Sequence, residues 1–371
     1  MKIIIVNEDL HLGGAQTMAL ELANALNAMP GNEVAFVSAP GVLMGRLEKG
    51  IKFCPIAEYR LTRIFKLFFQ FKSIFQELKP DIIHPQGATV GVIASIAARI
   101  YVPKTRVIIT YHSVNFTRLP AWAANALFKI CNDAFIAISR AKYNDFIKGG
   151  FAKGKVFLIP NFINRERLLS ETVSPEAVTL RAEVGVIPGE RVMVSAGRLI
   201  ADKHFDFFIK TLIECVQQEP HIKILGIILG DGPERKRLEQ MAAQIPFPNL
   251  RIKLLGFKSN VAAYLKTADI FLFPSEFEEV LPMCLIEAIS LGVPAVCSDI
   301  PGNHDIIEDG FNGFLVNIKE RDYAAPVLRI LKDPDLAHRL SNNGKDKAEK
   351  LYDRDKVVAD IFSVYQTLEK S

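Results

Sequence analysis

The chain has 371 residues, 49% of them hydrophobic and 23% charged. That is enough apolar material for two cores, and no stretch is polar enough to stay disordered. The five cysteines, Cys54, Cys131, Cys215, Cys284 and Cys297, make no Cys-x-x-Cys pair. This argues against a disulfide framework or a zinc site and for a reducing compartment. The net charge of +4 divides unevenly: residues 1–180 hold 21 basic and 13 acidic side chains, residues 181–371 hold 24 and 28. A basic first half suits an anionic partner surface.

In chain order, Ile3–Val6 before Glu8 and Asp9 reads as a buried first strand rather than a signal peptide. The long uncharged stretch Ile82–Ala98 contains Pro, His, Gln and Gly and is no membrane span. Strands are expected at Lys2–Asn7, Glu33–Ser38, Asp81–His84, Arg106–His112, Ala134–Ser139 and Val156–Pro160. A second set is expected at Arg191–Gly197, Lys223–Gly230, Arg251–Gly256, Asp269–Pro274, Ala295–Ser298 and Gly313–Val316. Most are continuous apolar runs, the pattern of a parallel sheet covered on both faces. Helices such as Ala15–Ala28, Ala88–Arg99, Phe205–Val216 and Met283–Ser290 separate them. The rhythm lapses between Asn161 and Pro188, where the domain boundary falls. The expected fold is α/β: two tandem Rossmann-like, doubly wound parallel-sheet domains, 1–165 and 166–355, facing a cleft. Such sheets bind ligands at the carboxyl ends of their strands.

Five segments carry candidate chemistry. Gly13 and Gly14, between the first strand and helix, let backbone amides approach a phosphate, although a tight βα turn explains them equally well. They are not the Gly-x-Gly-x-x-Gly of dinucleotide binders. Residues 59–79 hold five Phe, five Lys or Arg and one acid. Leu61, Ile64, Phe68, Phe71, Phe75 and Leu78 form a helical stripe for the sheet, whereas Phe65, Leu67 and Phe69 fall outside it. Arg63, Lys66, Phe69 and Lys72 are therefore expected at a membrane surface, against the plainer reading of a broad core helix.

His112 ends a buried strand, where it can orient a sugar hydroxyl or be a satisfied structural histidine; His11, His84, His204 and His304 have weaker context. Arg198 and Lys203 follow the strand ending at Gly197, suited to diphosphate oxygens; a surface βα loop is the bland alternative. Finally, Glu276, Glu278 and Glu279 crowd the loop before Pro282. The helix that follows opens at Met283 and Cys284, whose free amides suit a diphosphate, and carries Glu287 ~7 Å along its axis. Alone, these acids merely complement a helix dipole. In context, Glu279 and Glu287 flank an anion site and can hold sugar hydroxyls.

Taken in order, these segments resemble glycosyltransferase family 4 of the GT-B fold. The resemblance also takes in Ile-Pro-Asn at 159–161, Gly-Arg-Leu at 197–199, Leu-Gly-Asp-Gly-Pro at 229–233, Ala-Asp-Ile-Phe-Leu-Phe-Pro-Ser at 268–275, Leu-Gly-Val-Pro at 291–294 and the run 308–316. It implies a retaining, metal-independent hexosyl or N-acetylhexosaminyl transfer from a nucleotide-diphosphate sugar, UDP-linked, with no cofactor. Glu279 would hold the donor sugar and Glu287 the ribose. Arg198 and Lys203 would hold the diphosphate, with Gly14 helping, and His112 would lie beside the transferred sugar. Residues 1–165 become the acceptor side and 166–355 the donor side, with the last helix, 356–371, packing back on the first domain. Lipid-linked or lipopolysaccharide, capsule or O-antigen glycans are the implied acceptors. The implied location is the inner face of the cytoplasmic membrane, with no nucleic-acid partner. Val280 and His204 stand where glycine is usual, and Asp305 where Glu is common. A nucleotide-sugar epimerase of the same fold, or a non-catalytic partner of a transferase, remains as an alternative.

Overall fold

The computed structural model describes residues 1–11, 13–87, 89–112, 121–173, 180, 183–276 and 280–370, with backbone alone for 121–124. The chain forms two compact units, Met1–Phe162 with Arg354–Ser371, and Ile163–Asp353. The first holds seven strands, β1 (Lys2–Asp9), β2 (Glu33–Ala39), β3 (Lys52–Pro55), β4 (Ile82–Pro85), β5 (Arg106–Tyr111), β6 (Ala134–Ala137) and β7 (Val156–Leu158), in the order β3-β2-β1-β4-β5-β6-β7. The second holds β8 (Glu190–Ala196), β9 (Lys223–Leu229), β10 (Leu250–Leu254), β11 (Ile270–Phe273), β12 (Ala295–Ser298) and β13 (Gly313–Val316), in the order β10-β9-β8-β11-β12-β13.

Every strand pair in both sheets is parallel. Helices pack on the sheets, and a central strand such as β1 is an apolar run: Ile3, Ile4, Ile5 and Val6 are each at most 1% exposed. Each such side chain contributes about 1.5–3 kcal/mol on burial. Strand order reverses between β1 and β4 and again between β8 and β11. These two switch points are where crevices open in sheets of this kind; Gly13 and Gly14 follow β1, Arg198 and Lys203 follow β8, and His112 follows β5, one strand further along.

Two features differ from the sequence reading. β3, Lys-Phe-Cys-Pro, is an additional strand: it lies at the sheet edge, where a terminal proline costs no ladder bond. In the helix Ile64–Leu78, Leu67 is fully buried with Phe71 and Phe75, whereas Leu61 is 62% exposed. Leu61 belongs to a preceding 3-10 turn, Leu61–Arg63, whose tighter winding takes it out of the α-helical stripe. The last helix, Arg354–Glu369, packs in the first unit against the helix Gly14–Asn27.

Candidate functional site

In the second unit the site begins where β8 ends. The loop carrying Arg198 is braced from behind by the turn after β9. The Gly197 amide donates to the Leu229 carbonyl at 2.9 Å, and the Leu199 amide to the Asp231 carbonyl at 2.9 Å. A Cβ on Gly230, which has φ 135°, would fall 1.8 Å from the Gly197 carbonyl oxygen. Only glycine permits that approach, so the Leu-Gly-Asp-Gly-Pro run is a backbone support for the Arg198 loop.

The turn Ala201–Lys203 ends on His204, at φ 50° and ψ 42°. This left-handed conformation is the reason glycine suits the position; for other residues it is strained by ~1 kcal/mol or more. His204 gains contacts in exchange: its ring lies 5.5 Å from that of Phe207, and Nε2 is 3.5 Å from Glu276 Oε2. Glu276 is itself engaged, with Arg321 Nε and Nη2 reaching its two oxygens at 2.8 and 2.9 Å. The Glu276 amide also donates to the Asp202 carbonyl at 3.2 Å. This acid therefore ties the β11 loop to the Lys203 turn.

Lys203 is half-buried, with Nζ 5.4 Å from the centre of the Phe273 ring. Burial pulls its pKa below the ordinary lysine range, the Cys284 side chain opposes this, and nearby Arg198 adds to it. Burial likewise pushes the Cys284 thiol up to about 12, with Lys203 opposing and Glu287 adding. Lys203 is thus influenced by Arg198 and Cys284, and Cys284 by Lys203 and Glu287, with Arg198 the exposed member of the group. The helix Met283–Ser290 opens into it. The N-cap residue, Pro282, offers no side-chain cap, the first turn holds no acid, and the amides of Leu285 and Ile286 both turn back to the Pro282 carbonyl at 3.2 and 3.3 Å. Amides at a helix start near cationic side chains suit an anion. Met283 is half-buried at its mouth. Glu279 lies outside the described residues. Among the described residues, no group of three or more His, Cys, Asp or Glu could hold a metal ion.

In the first unit, Gly13 is extended, with φ 174°, and Gly14 starts the helix Gly14–Asn27 without a side-chain cap. Asp9 Oδ1 shapes the turn, accepting from the His11 amide at 2.9 Å and from Gln16 Nε2 at 3.3 Å. His112, just past β5, meets Gln86 Oε1 through Nε2 at 2.7 Å. Burial lowers its pKa to about 4, so the ring is neutral at physiological pH. Gln86, Tyr365 and Asn161 surround this histidine's setting and were not singled out from the sequence; the only signal for Asn161 was the Ile-Pro-Asn run.

The proposed membrane-facing residues divide. Phe69 is 60% exposed, Phe65 is 79% exposed beside it, and Lys66 is exposed. Arg63 is half-buried, and Lys72 places Nζ 5.3 Å over the Tyr101 ring. Among the described residues, no helix is long and apolar enough to cross a membrane.

Comparison with known proteins matches the model for Glycosyltransferase Family 4 over residues 12–167 and that for Glycosyl transferases group 1 over 178–347. The chain is 24% identical over 297 residues to the Escherichia coli UDP-Gal:alpha-D-GlcNAc-diphosphoundecaprenol alpha-1,3-galactosyltransferase, covering 77% of this chain and 75% of that protein. It is 27% identical over 364 residues to a Campylobacter jejuni alpha-1,4-N-acetyl-D-galactosaminyltransferase acting on an undecaprenol-diphosphate glycan, covering 94% of each. Among solved structures, Anabaena Alr3699/HepE in complex with UDP-glucose superposes with a TM-score of 0.84 at 21% identity, covering 99% of this chain and 100% of that one. That likeness shows a shared two-domain GT-B fold.

Proposed function

The chain belongs to glycosyltransferase family 4, and we propose from that premise that it moves a hexose or N-acetylhexosamine from a UDP-linked sugar to a lipid-linked or cell-surface glycan, retaining the anomeric configuration and using no metal. The observation that carries the donor assignment is the cationic locality of the second unit: Arg198 and half-buried Lys203 near the start of Met283–Ser290. In this reading the bond between the anomeric carbon and the diphosphate oxygen breaks. The acceptor oxygen bonds to the same face of the sugar, and its proton passes to the departing phosphate. Arg198, Lys203 and the helix amides stabilise the charge gathering on the leaving group, which is the task a metal would otherwise perform. Glu287 holds ribose hydroxyls, and Glu279 and His112 attend the transferred sugar.

The acceptor class follows from the Escherichia coli and Campylobacter jejuni relatives, whose names specify diphosphoundecaprenol-linked glycans. It agrees with Phe65, Lys66 and Phe69 standing exposed on one helix of the basic half; in this reading they touch an anionic membrane at its cytoplasmic face. The test is a thermal-shift panel of nucleotide sugars followed by turnover on undecaprenyl-diphosphate glycans, with and without chelator. Stabilisation by one UDP-sugar is expected, as is acceptor-dependent UDP release unaffected by chelation. Acceptor-independent conversion of the sugar would favour an epimerase, and turnover lost on chelation and restored by magnesium would overturn the metal-free reading.

A further inference from the structure

A continuous run of hydrogen bonds links His112 to the last helix. His112 Nε2 stands 2.7 Å from Gln86 Oε1, Gln86 Nε2 stands 3.0 Å from His84 Nε2, and His84 Nδ1 stands 2.5 Å from Tyr365 Oη. Thr110 Oγ1 meets His84 Nε2 at 2.7 Å. Gln86, Thr110, His84 and Tyr365 are all buried, so the protons in this run are arranged among the side chains themselves.

Their arrangement follows from donor chemistry. An amide oxygen accepts and an amide nitrogen donates. His112 Nε2 therefore carries a proton for Gln86 Oε1. His84 Nε2 carries none and its single lone pair accepts from Gln86, with the Thr110 hydroxyl sharing the same atom. Neutral His84 then bears its proton on Nδ1 and donates it to Tyr365. Burial lowers the His84 pKa to about 3 and that of His112 to about 4, which keeps both rings neutral. Along the run from His112 through Gln86 and His84 to Tyr365 every donor points toward the last helix, and His112 Nδ1 is left with a bare lone pair.

A small pocket is lined in part by His112, Gln86, Thr110 and Asn161. The buried Asn161 Oδ1 has no hydrogen-bond partner among the described residues. It is a second acceptor on the same pocket.

We propose that Tyr365 is a positioning residue that holds His112 in its Nε2–H form, so that His112 and Asn161 together accept from hydroxyl groups of the bound sugar or acceptor. The part concerning sugar rests on the functional reading above; the part concerning the proton does not. Removing the Tyr365 hydroxyl takes away the acceptor for His84 Nδ1–H. The run then reverses. His84 moves its proton to Nε2, Gln86 turns its carbonyl oxygen to receive it, and Gln86 Nε2 donates to His112 Nε2. His112 must then carry its proton on Nδ1. Exchange with solvent supplies the rearrangement, with no net gain or loss of protons.

The experiment uses the full chain with ¹⁵N-labelled histidine, two-bond nitrogen–proton correlation spectra, and His112→Gln to identify the His112 signals. In Tyr365→Phe, which keeps the buried ring, His112 is expected to change from Nε2–H to Nδ1–H. The kcat is expected to fall about 10- to 100-fold, as for one lost and mispaired buried hydrogen bond, with KM changing less. Adding Gln86→Glu, whose carboxylate only accepts, is expected to return His112 to Nε2–H. In Gln86→Glu alone, with Tyr365 intact, His84 is expected to carry its proton on Nε2. An unchanged His112 in folded Tyr365→Phe, or an unchanged His84 in Gln86→Glu, overturns the proposal. An inverted His112 with unaltered transfer upholds the proton arrangement and removes the sugar-facing role.

Discussion

The two units solve the problem of a ligand at a switch point in opposite electrostatic ways. The second unit lies in the more acidic half of the sequence, yet its site gathers Arg198 and Lys203 near a helix start. The first unit lies in the basic half, yet its site is a neutral run of His112, Gln86, His84 and Tyr365. The lesson is that the net charge of a half describes its outer surface, whereas the charge of a site is set by which few side chains the strand ends bring together. The cationic site suits phosphate, where charge is the signal. The neutral one suits hydroxyls, which are told apart by donor and acceptor direction.

The sharpest way to break this contrast is to remove the cations. Arg198→Ala and Lys203→Ala are each expected to lower turnover by about 10²- to 10³-fold, the scale of losing one charge-stabilising group at a leaving atom, with the melting temperature nearly unchanged. Coupled detection of released nucleotide would read the effect, and near-normal rates would remove the diphosphate from this locality.

A second test sharpens the neutral side by acid. The folded-state pKa values of His84 and His112 are depressed to about 3 and about 4 from 6.5. Above pH 6.5 these rings are neutral folded or unfolded and exert no pull. As pH falls from 6.5 toward 4, the unfolded chain takes up protons that the folded chain refuses, so stability falls. The slope from this pair ends once pH drops below about 3. Urea titrations followed by amide hydrogen exchange of β1 and β5 report the first unit. A midpoint independent of pH between 6.5 and 4 would contradict the buried neutral pair.

The exposed aromatic face of the first unit offers a smaller effect. Phe69→Asp with Lys66→Glu is expected to weaken sedimentation with anionic vesicles several-fold while sparing transfer to a soluble acceptor; undiminished sedimentation would confine that helix to its core role. Smallest of all, His204→Val is expected to lower stability by about 1–2 kcal/mol, because a β-branched residue tolerates the left-handed backbone poorly. Chemical denaturation would measure it, and an unchanged midpoint would show that the turn relaxes freely.

The two-domain parallel architecture was legible because buried parallel strands write themselves as unbroken apolar runs, as at Ile3–Val6 and Ile224–Leu229. β3 escaped notice because an edge strand needs only one partner and only four residues, here Lys-Phe-Cys-Pro. The exchange of Leu61 and Leu67 arose from a change of winding that no constant helical period reveals. The nearness of Arg198, Lys203 and Cys284 could be anticipated because each follows a strand or opens a helix, and Glu287 lies about one turn further along the same helix. The roles of Glu276 and His84 could not. Arg321 reaches Glu276 from 45 residues away, and Tyr365 reaches His84 from 281 residues away. Local pattern carries no trace of partners brought in by tertiary packing.

The return of the last helix to the first unit bears on how the protein is made. A ribosome releases the first 162 residues long before Tyr365 is synthesised. Until then the sheet formed by those residues holds His84 without its phenolic acceptor, and the surface that Val358, Ile361 and Tyr365 will cover stays open to water. The second unit is continuous from Ile163 to Asp353 and can finish first, although translated later. Completion of the earlier-born half waits on the final turns of chain.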